Sequence, residues 1–372
     1  MKLLIISPDW FPNITGFGLS AYEFAYRLEK GGHKVTIITP SKKNLDKKGM
    51  QVIPVKQVLN LLGRNPIVVG LLGKIRKYSK DCGAILLYSY MYEMNWRVSF
   101  FKRIGLIKKP VILMYRGGLE NYTLKFLNPL TRLAKIIYDI SLGRCLFRNA
   151  DYIISNSKPT LTEIERRFKI QEDKMAYVPN AVDFSSFRQS RLDNKRVLFV
   201  GRLIENKGIR YFPRIIEALP RDWTFTIIGD GPMEDEVKAL ASKHKNIQYL
   251  GKLSYNEIKK YYEKADVVVL PTFAECSPRV ILEACASGVP SVVFDVGDVP
   301  TILDNNRNGF CIERYNINKF IKKIKELVSK ESLRREMGGR AREYAKKNLD
   351  WKVVYKKMIE EVRKGMKRRK EK

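Results

Sequence analysis

Cysteine is scarce and unpatterned in this chain. Cys82, Cys145, Cys276, Cys285 and Cys311 are odd in number, widely spread and never in C-x-x-C. That argues against a disulfide framework or a zinc site and fits a reducing cytoplasm. Long apolar runs are missing too. The stretches near residues 65–73 and 82–92 fall well short of the ~20 residues a spanning helix needs. The opening MKLLIISPDW has only four apolar residues before Ser7-Pro8-Asp9, too few for a secretory signal. No short internal repeat or low-complexity tract precedes the basic tail KGMKRRKEK.

Acidic residues are few: 39 Asp and Glu face 70 Lys and Arg, a formal charge of +31. Such an excess implies attraction to something anionic, whether phosphate, an acidic lipid surface or nucleic acid. Ion-pair networks of the thermophile kind would account for part of it. A basic recognition helix and an interleaved aromatic platform are both missing, which disfavours a nucleic-acid-binding protein.

What is present is rhythm. Short apolar runs alternate with helix-length segments: KLLIIS, KVTIITP, AILLYSY, PVILMY and DYIISNS, then RVLFVG, WTFTIIG, NIQYLG, DVVVLP and VPSVVF. Strands of this kind imply parallel sheets buried on both faces. The polar segment FSSFRQSRLDNK, residues 184–195, reads as a linker. Two doubly wound units are therefore expected, split near residue 190.

In PTFAECSPRVILEACASGVPSVVF, residues 271–294, Glu275 and Glu283 stand eight positions apart. One continuous helix would place them on a shared face, but the residue before Pro278 avoids the α region. The better reading is a strand over Val267–Leu270, a short loop carrying Glu275, and a helix from about Arg279. Both carboxylates then face the crevice at the strand's carboxyl end, where open α/β sheets bind ligands.

In VLFVGRLIENKGI, Arg202 follows a glycine turn and Lys207-Gly208 leads to the next helix, a pattern suited to a diphosphate. A solvated surface pair would give the same pattern. Gly16-x-Gly18-x-x-Ala21 loosely fits a dinucleotide fingerprint, yet it does not follow its strand directly and the second strand ends Thr39-Pro40-Ser41 without an acid. A dehydrogenase is disfavoured, and a phosphate loop or a plain tight turn both stay open.

Taken in order, these segments resemble glycosyltransferase family 4, the retaining glycosyl transferases group 1. EKGGHKVTIIT, DYIISNS, VPNAVDFSSF, FVGRLIENKG, IIGDGP, LGKLSYNEI, PTFAECSPRVILEACASGVPSVV, NGFCI and LDWKVVYKKM carry the resemblance across nearly the whole chain. It implies an α/β GT-B fold, two Rossmann-like doubly wound domains facing across a cleft. Residues 1–190 would form the acceptor side and 191–350 the nucleotide-sugar side, with helix 351–372 packing back on the first. The family's Glu-x7-Glu pattern falls on Glu275 and Glu283. By resemblance, Arg202 and Lys207 hold the donor diphosphate and act with Glu275 as the catalytic groups. Glu283 accepts the ribose hydroxyls, amides at Gly16, Ser277, Arg279 and Val280 meet the phosphates, and main chain at Lys252 and Leu253 meets the base. The structural alternative for both glutamates is a capping or salt-bridging carboxylate. The resemblance implies a UDP- or GDP-linked sugar as substrate, no cofactor and no metal, in keeping with the lack of an Asp-x-Asp loop.

The departures concern substrates. Many relatives carry a first-domain histidine near the sugar, whereas this chain has only His33 and His244. MYRGGLENY stands at that place, making Arg116, with Phe17 of the altered glycine loop, a candidate for sugar or acceptor contact. A structural ion pair is the alternative for Arg116. Thr301 replaces the usual glutamate after Val299-Pro300. The function expected is sugar transfer from a nucleotide donor to a glycan, lipid-linked or other hydroxyl acceptor. A nucleotide-sugar epimerase of the same fold is the rival reading. A cytoplasmic location with docking on an anionic membrane surface is also expected. Drawn as a helix, RVSFFKRIGLIKK groups Phe100, Phe101, Ile104 and Ile107 on one side, away from Lys102, Arg103 and Lys109, as an interfacial helix needs; an ordinary helix packing that stripe against its own sheet is the alternative.

Overall fold

The structure, a computed structural model, describes residues 1–10, 16–40, 49–61, 65–117 and 129–368. Described residues up to Val178, joined by those from Tyr355 onward, form one unit, and Pro179–Val354 form the other.

The first unit contains β1 (Lys2–Ile6), β2 (Lys34–Pro40), β3 (Gln51–Leu61), β4 (Asn65–Val69), β5 (Ala84–Tyr88), β6 (Val111–Tyr115), β7 (Tyr152–Ser155) and β8 (Met175–Tyr177). They lie side by side in the order β4-β3-β2-β1-β5-β6-β7-β8. Only the β3–β4 pairing is antiparallel. The second unit contains β9 (Arg196–Val200), β10 (Thr224–Ile228), β11 (Ile247–Tyr249), β12 (Val267–Leu270), β13 (Ser291–Phe294) and β14 (Phe310–Ile312). Their order, β11-β10-β9-β12-β13-β14, is parallel throughout. Chain direction across this sheet reverses between β9 and β12, the topological switch point where such sheets bind nucleotides.

Every apolar run named above forms a strand. Apart from the edge strand β11, whose residues are half-buried, their central residues are buried on both faces, as in β12, where Val267, Val268, Val269 and Leu270 are all at most 1% exposed. Each such side chain contributes roughly 1.5–3 kcal/mol. The helix Trp351–Lys367 belongs to the first unit from Tyr355 on. There the Tyr152 hydroxyl donates to Glu361 Oε2 at 2.6 Å.

Two expectations need correction. Residues 184–195 are polar but anchored rather than a free spacer. Phe187 and Leu192 are buried in the second unit's core, and the Ser190 hydroxyl donates to the Ala265 carbonyl at 2.7 Å. The stripe drawn through Phe100, Phe101, Ile104 and Ile107 also divides. The helix ends at Arg103, Gly105 turns the chain with φ +77°, and Ile107 is buried while Phe101 packs partly on the core. Among the described residues no helix is long and apolar enough to cross a membrane.

Candidate functional site

The carboxyl ends of β9 and β12 are laced together by main chain. After β9, the Gly201 amide donates to the Ile228 carbonyl at 3.0 Å and the Leu203 amide to the Asp230 carbonyl at 2.7 Å. A short turn, Glu205–Lys207, closes on Gly208 at φ +74°. A β-carbon on Gly208 would lie 2.0 Å from the Pro271 carbonyl oxygen, so only glycine lets the two loops meet. The Asn206 carbonyl then accepts the Phe273 amide at 2.8 Å and the Thr272 hydroxyl at 3.0 Å.

The loop after β12 is clasped from the other side as well. Gly297, at φ +53°, sits so close that a β-carbon would be 2.2 Å from the Glu275 carbonyl oxygen. The Asp298 amide donates to the Cys276 carbonyl at 2.7 Å, and Asn180 Nδ2 to the Ser277 carbonyl at 2.9 Å. Each bond contributes about 0.5–1.5 kcal/mol net, and together they turn an irregular segment into a fixed platform. Thr272, Phe273 and Ala274 are buried within it.

On this platform Lys207 and Glu275 form an ion pair, with side chains 16% and 18% exposed. Arg202, from the same loop as Lys207, is exposed and has no ion pair with a described residue. The helix Arg279–Ala286 follows, entered through Pro278, which supplies no side-chain cap. Its first-turn amides and positive dipole end therefore lie at the sheet's carboxyl edge, as suits an anion. Arg279 and Val280 stand in that turn. The Ser277 hydroxyl beside it is buried with no partner among the described residues, which costs about 1–3 kcal/mol.

Glu283 lies in the second turn of this helix and is 5% exposed. The Tyr262 hydroxyl donates to its Oε2 at 2.9 Å, and Arg279 Nε stands 3.9 Å from Oε1. Burial, reinforced by the neighbouring Glu283 charge, pushes the Tyr262 phenol well above its ordinary value of 10.0, so it stays a donor at any working pH. The structure thus brings Arg202, Lys207, Glu275, Ser277, Arg279, Val280 and Glu283 onto two adjacent loops and the helix they lead into. Lys252 and Leu253 lie on the loop after β11, with Lys252 Nζ 3.8 Å from Asp230 and Leu253 packed partly on the core.

The first-unit candidates differ in kind. Gly16 opens the helix Gly16–Lys30, where the Asp9 carboxylate accepts the Gly18 amide at 3.3 Å. A carboxylate already occupies part of that helix end. The Phe17 side chain lies outside the described residues. Arg116 is buried, donates to the Val178 carbonyl at 3.2 Å and reaches Met358 Sδ at 3.7 Å, a geometry that ties the end of β6 to the final helix. Tyr262 and Asn180 went unread as site residues. Asn180 lies in VPNAVD, a segment the sequence does single out, whereas Tyr262 carries no local signal beyond an inward position at a helix end.

Known proteins resemble the chain over nearly its whole length. Residues 14–186 match the family described as Glycosyltransferase Family 4, and residues 183–344 that described as Glycosyl transferases group 1. An uncharacterised glycosyltransferase of Methanocaldococcus jannaschii is 29% identical over 415 residues, covering 96% of this chain and 97% of the relative. One from Haemophilus influenzae is 28% identical over 210 residues, 54% of this chain, and the match spans only 59% of that relative's length. The solved structure of Anabaena HepE in complex with UDP-glucose superposes with a TM-score of 0.75 at 17% identity, covering 97% of this chain and 99% of that one. The fold is thus of the GT-B type.

Proposed function

We propose that this chain, which belongs to glycosyltransferase family 4, moves a sugar from a nucleotide donor to a hydroxyl acceptor with retention of anomeric configuration. One observation carries the reading: the Lys207–Glu275 pair sits at the switch point of a nucleotide-type sheet, on the loops that position Arg202 and Glu283. Arg202 and Lys207 meet the diphosphate, and the charge that grows there as the glycosidic bond breaks strengthens both contacts in the transition state. The acceptor oxygen forms its bond to the anomeric carbon on the face the diphosphate leaves, and a β-phosphate oxygen takes the acceptor's proton. Glu275, positioned by its ion pair with Lys207, stabilises positive charge at that carbon. Glu283, whose Oε2 accepts from Tyr262, meets the ribose hydroxyls. The Ser277 hydroxyl and the amides at Arg279 and Val280 suit the phosphates.

The countercharge for the leaving diphosphate comes from these side chains rather than a metal ion, and no cofactor takes part. A UDP-linked hexose is the donor class best supported, since HepE, of the same fold, was solved with UDP-glucose. The basic first unit fits a glycan or lipid-linked acceptor and docking at the inner face of the cytoplasmic membrane. Incubation with UDP- and GDP-sugars, with and without a panel of glycan and lipid-linked alcohols, tests the reading. Transfer only with acceptor, to a product of the donor's anomeric configuration by NMR, is expected. Isomerised donor without acceptor would make the chain an epimerase, and an inverted product would overturn retention.

A further inference from the structure

The helix Pro129–Tyr138 in the first unit has its polarity reversed. Leu130, Leu133, Ile137 and Ile140 recur at spacings of three and four and are 78%, 55%, 53% and 66% exposed. The face turned inward is ionic. Lys135 Nζ pairs with Asp139 at 2.8 Å, and Asp139, 1% exposed, also takes Arg167 at 3.3 Å and the Tyr90 hydroxyl. A surface helix of a soluble domain turns its aliphatic stripe to the core and its charges to water. Here the charges satisfy one another inside, and the aliphatic stripe is left outside.

The stripe has neighbours of the same character. The chain continues through one widened turn, Asp139–Gly143, into the helix Arg144–Asn149. That helix binds the helix Glu93–Arg103, with the Ser99 hydroxyl donating to the Cys145 carbonyl and Asn149 Nδ2 to Ser99, both at 3.2 Å. Phe100 and Ile104, at the end of this second helix, are exposed. Residues 65–117 and 129–150 hold 14 Lys and Arg against three Asp and Glu. Of the three acids, Asp139 is buried and Glu93 is paired with Arg97 at 2.5 Å. Arg103, Lys108, Arg132, Arg144 and Arg148 are exposed.

We infer that this face is the membrane-docking surface, with the Pro129–Tyr138 helix lying in the interface of an anionic bilayer. Its aliphatic side chains enter the acyl boundary while the surrounding cations meet lipid headgroups. A second copy of the chain would bring two cationic faces together, an arrangement that like-charge repulsion opposes. The inference deepens the docking part of the function proposed above and rests on it.

The test uses the full chain and vesicles of phosphatidylcholine alone or mixed equally with phosphatidylglycerol. Wild type should sediment with the mixed vesicles and stay in solution with the neutral ones. Leu133→Gln/Ile137→Gln and, separately, Leu130→Gln/Ile140→Gln should each weaken partitioning at least about tenfold. Both should retain the wild-type melting temperature and its increase with UDP, a readout that reports on the nucleotide site independently of docking. Wild type that ignores mixed vesicles, or variants that bind them equally well, would overturn the inference. A dimer in light scattering that both variants dissolve would assign the face to a second copy.

Discussion

Replacing Tyr262 with phenylalanine isolates one bond of the site. The ring stays in place, packed edge-on against Phe187 at 6.0 Å between centroids, while the hydroxyl 2.9 Å from Glu283 Oε2 is lost. A hydrogen bond to a charged group contributes about 1.5–3 kcal/mol, and here the acceptor left behind is a buried carboxylate. For a unit of this size that corresponds to a melting temperature lower by roughly 3–12 °C. If Glu283 holds the ribose, its loosened carboxylate should weaken UDP binding about tenfold, since ~1.4 kcal/mol is a factor of ten. Turnover at saturating donor should change little, because the contact exists before the chemical step. Calorimetric titration with UDP, beside thermal unfolding and steady-state kinetics, reads all three. Tyr261→Phe serves as the control: its hydroxyl has no hydrogen bond with a described residue, and it should behave as wild type. A folded Tyr262→Phe protein with unchanged UDP affinity would refute the orienting role of Tyr262 and weaken the assignment of Glu283 to the ribose.

Arg202→Ala and Lys207→Ala should each lower kcat/KM about ten- to a hundredfold, but only Lys207→Ala should also lower the melting temperature, because it leaves Glu275 without its ion-pair partner. Equal thermal effects would show that the pair does not hold the loop. Gly208→Ala should destabilise the second unit by more than ~2 kcal/mol, since its β-carbon would strike the Pro271 carbonyl at φ +74°. Gly339→Ala, in a helix with open space around it, should instead stabilise by about 0.5–1 kcal/mol, and urea midpoints compare the two. Stability should hold to about pH 9 and fall above it. Burial pushes the Cys285 thiol up from 9.0 to about 12 and raises the Tyr262 phenol well above 10.0, so the unfolded chain sheds these protons before the folded one does. Melting temperatures measured from pH 7 to 11 check the sign, and a flat profile would contradict it.

What the sequence reveals is set by how local the physics is. Runs such as LLII and VVVL announce buried parallel strands because their whole length is apolar. β3 escapes because Pro54 interrupts it and polar residues alternate along it, while β8 and β14 are three-residue strands whose identity comes from the neighbour they pair with. The site divides in the same way. The break at Pro278 separates Glu275 from Glu283 and is legible in the chain, as is the Arg202–Lys207 loop. The tie from Tyr262 to Glu283 joins the end of one helix to the second turn of the next, 21 residues on, and leaves no periodic trace.

The amphipathic faces show where periodicity stops. It reports which residues share a side of a helix, provided that the helix continues. In RVSFFKRIGLIKK it does not. Gly105 reverses the chain, the Leu106 amide bonds back to the Phe101 carbonyl at 2.9 Å, and Ile107 passes beneath the helix it was drawn on. In PLTRLAKIIYDI the helix does continue, and the shared side is real, yet the pattern alone would send it inward. Its direction is decided by Tyr90 and Arg167, residues remote in sequence that give Asp139 and Lys135 a buried polar setting. Turning the helix over would strand Asp139 and its partners, and breaking such a buried set by removing one member costs about 3–5 kcal/mol, so with Tyr90 and Arg167 in place the ionic face holds the interior and the aliphatic face stays at the surface.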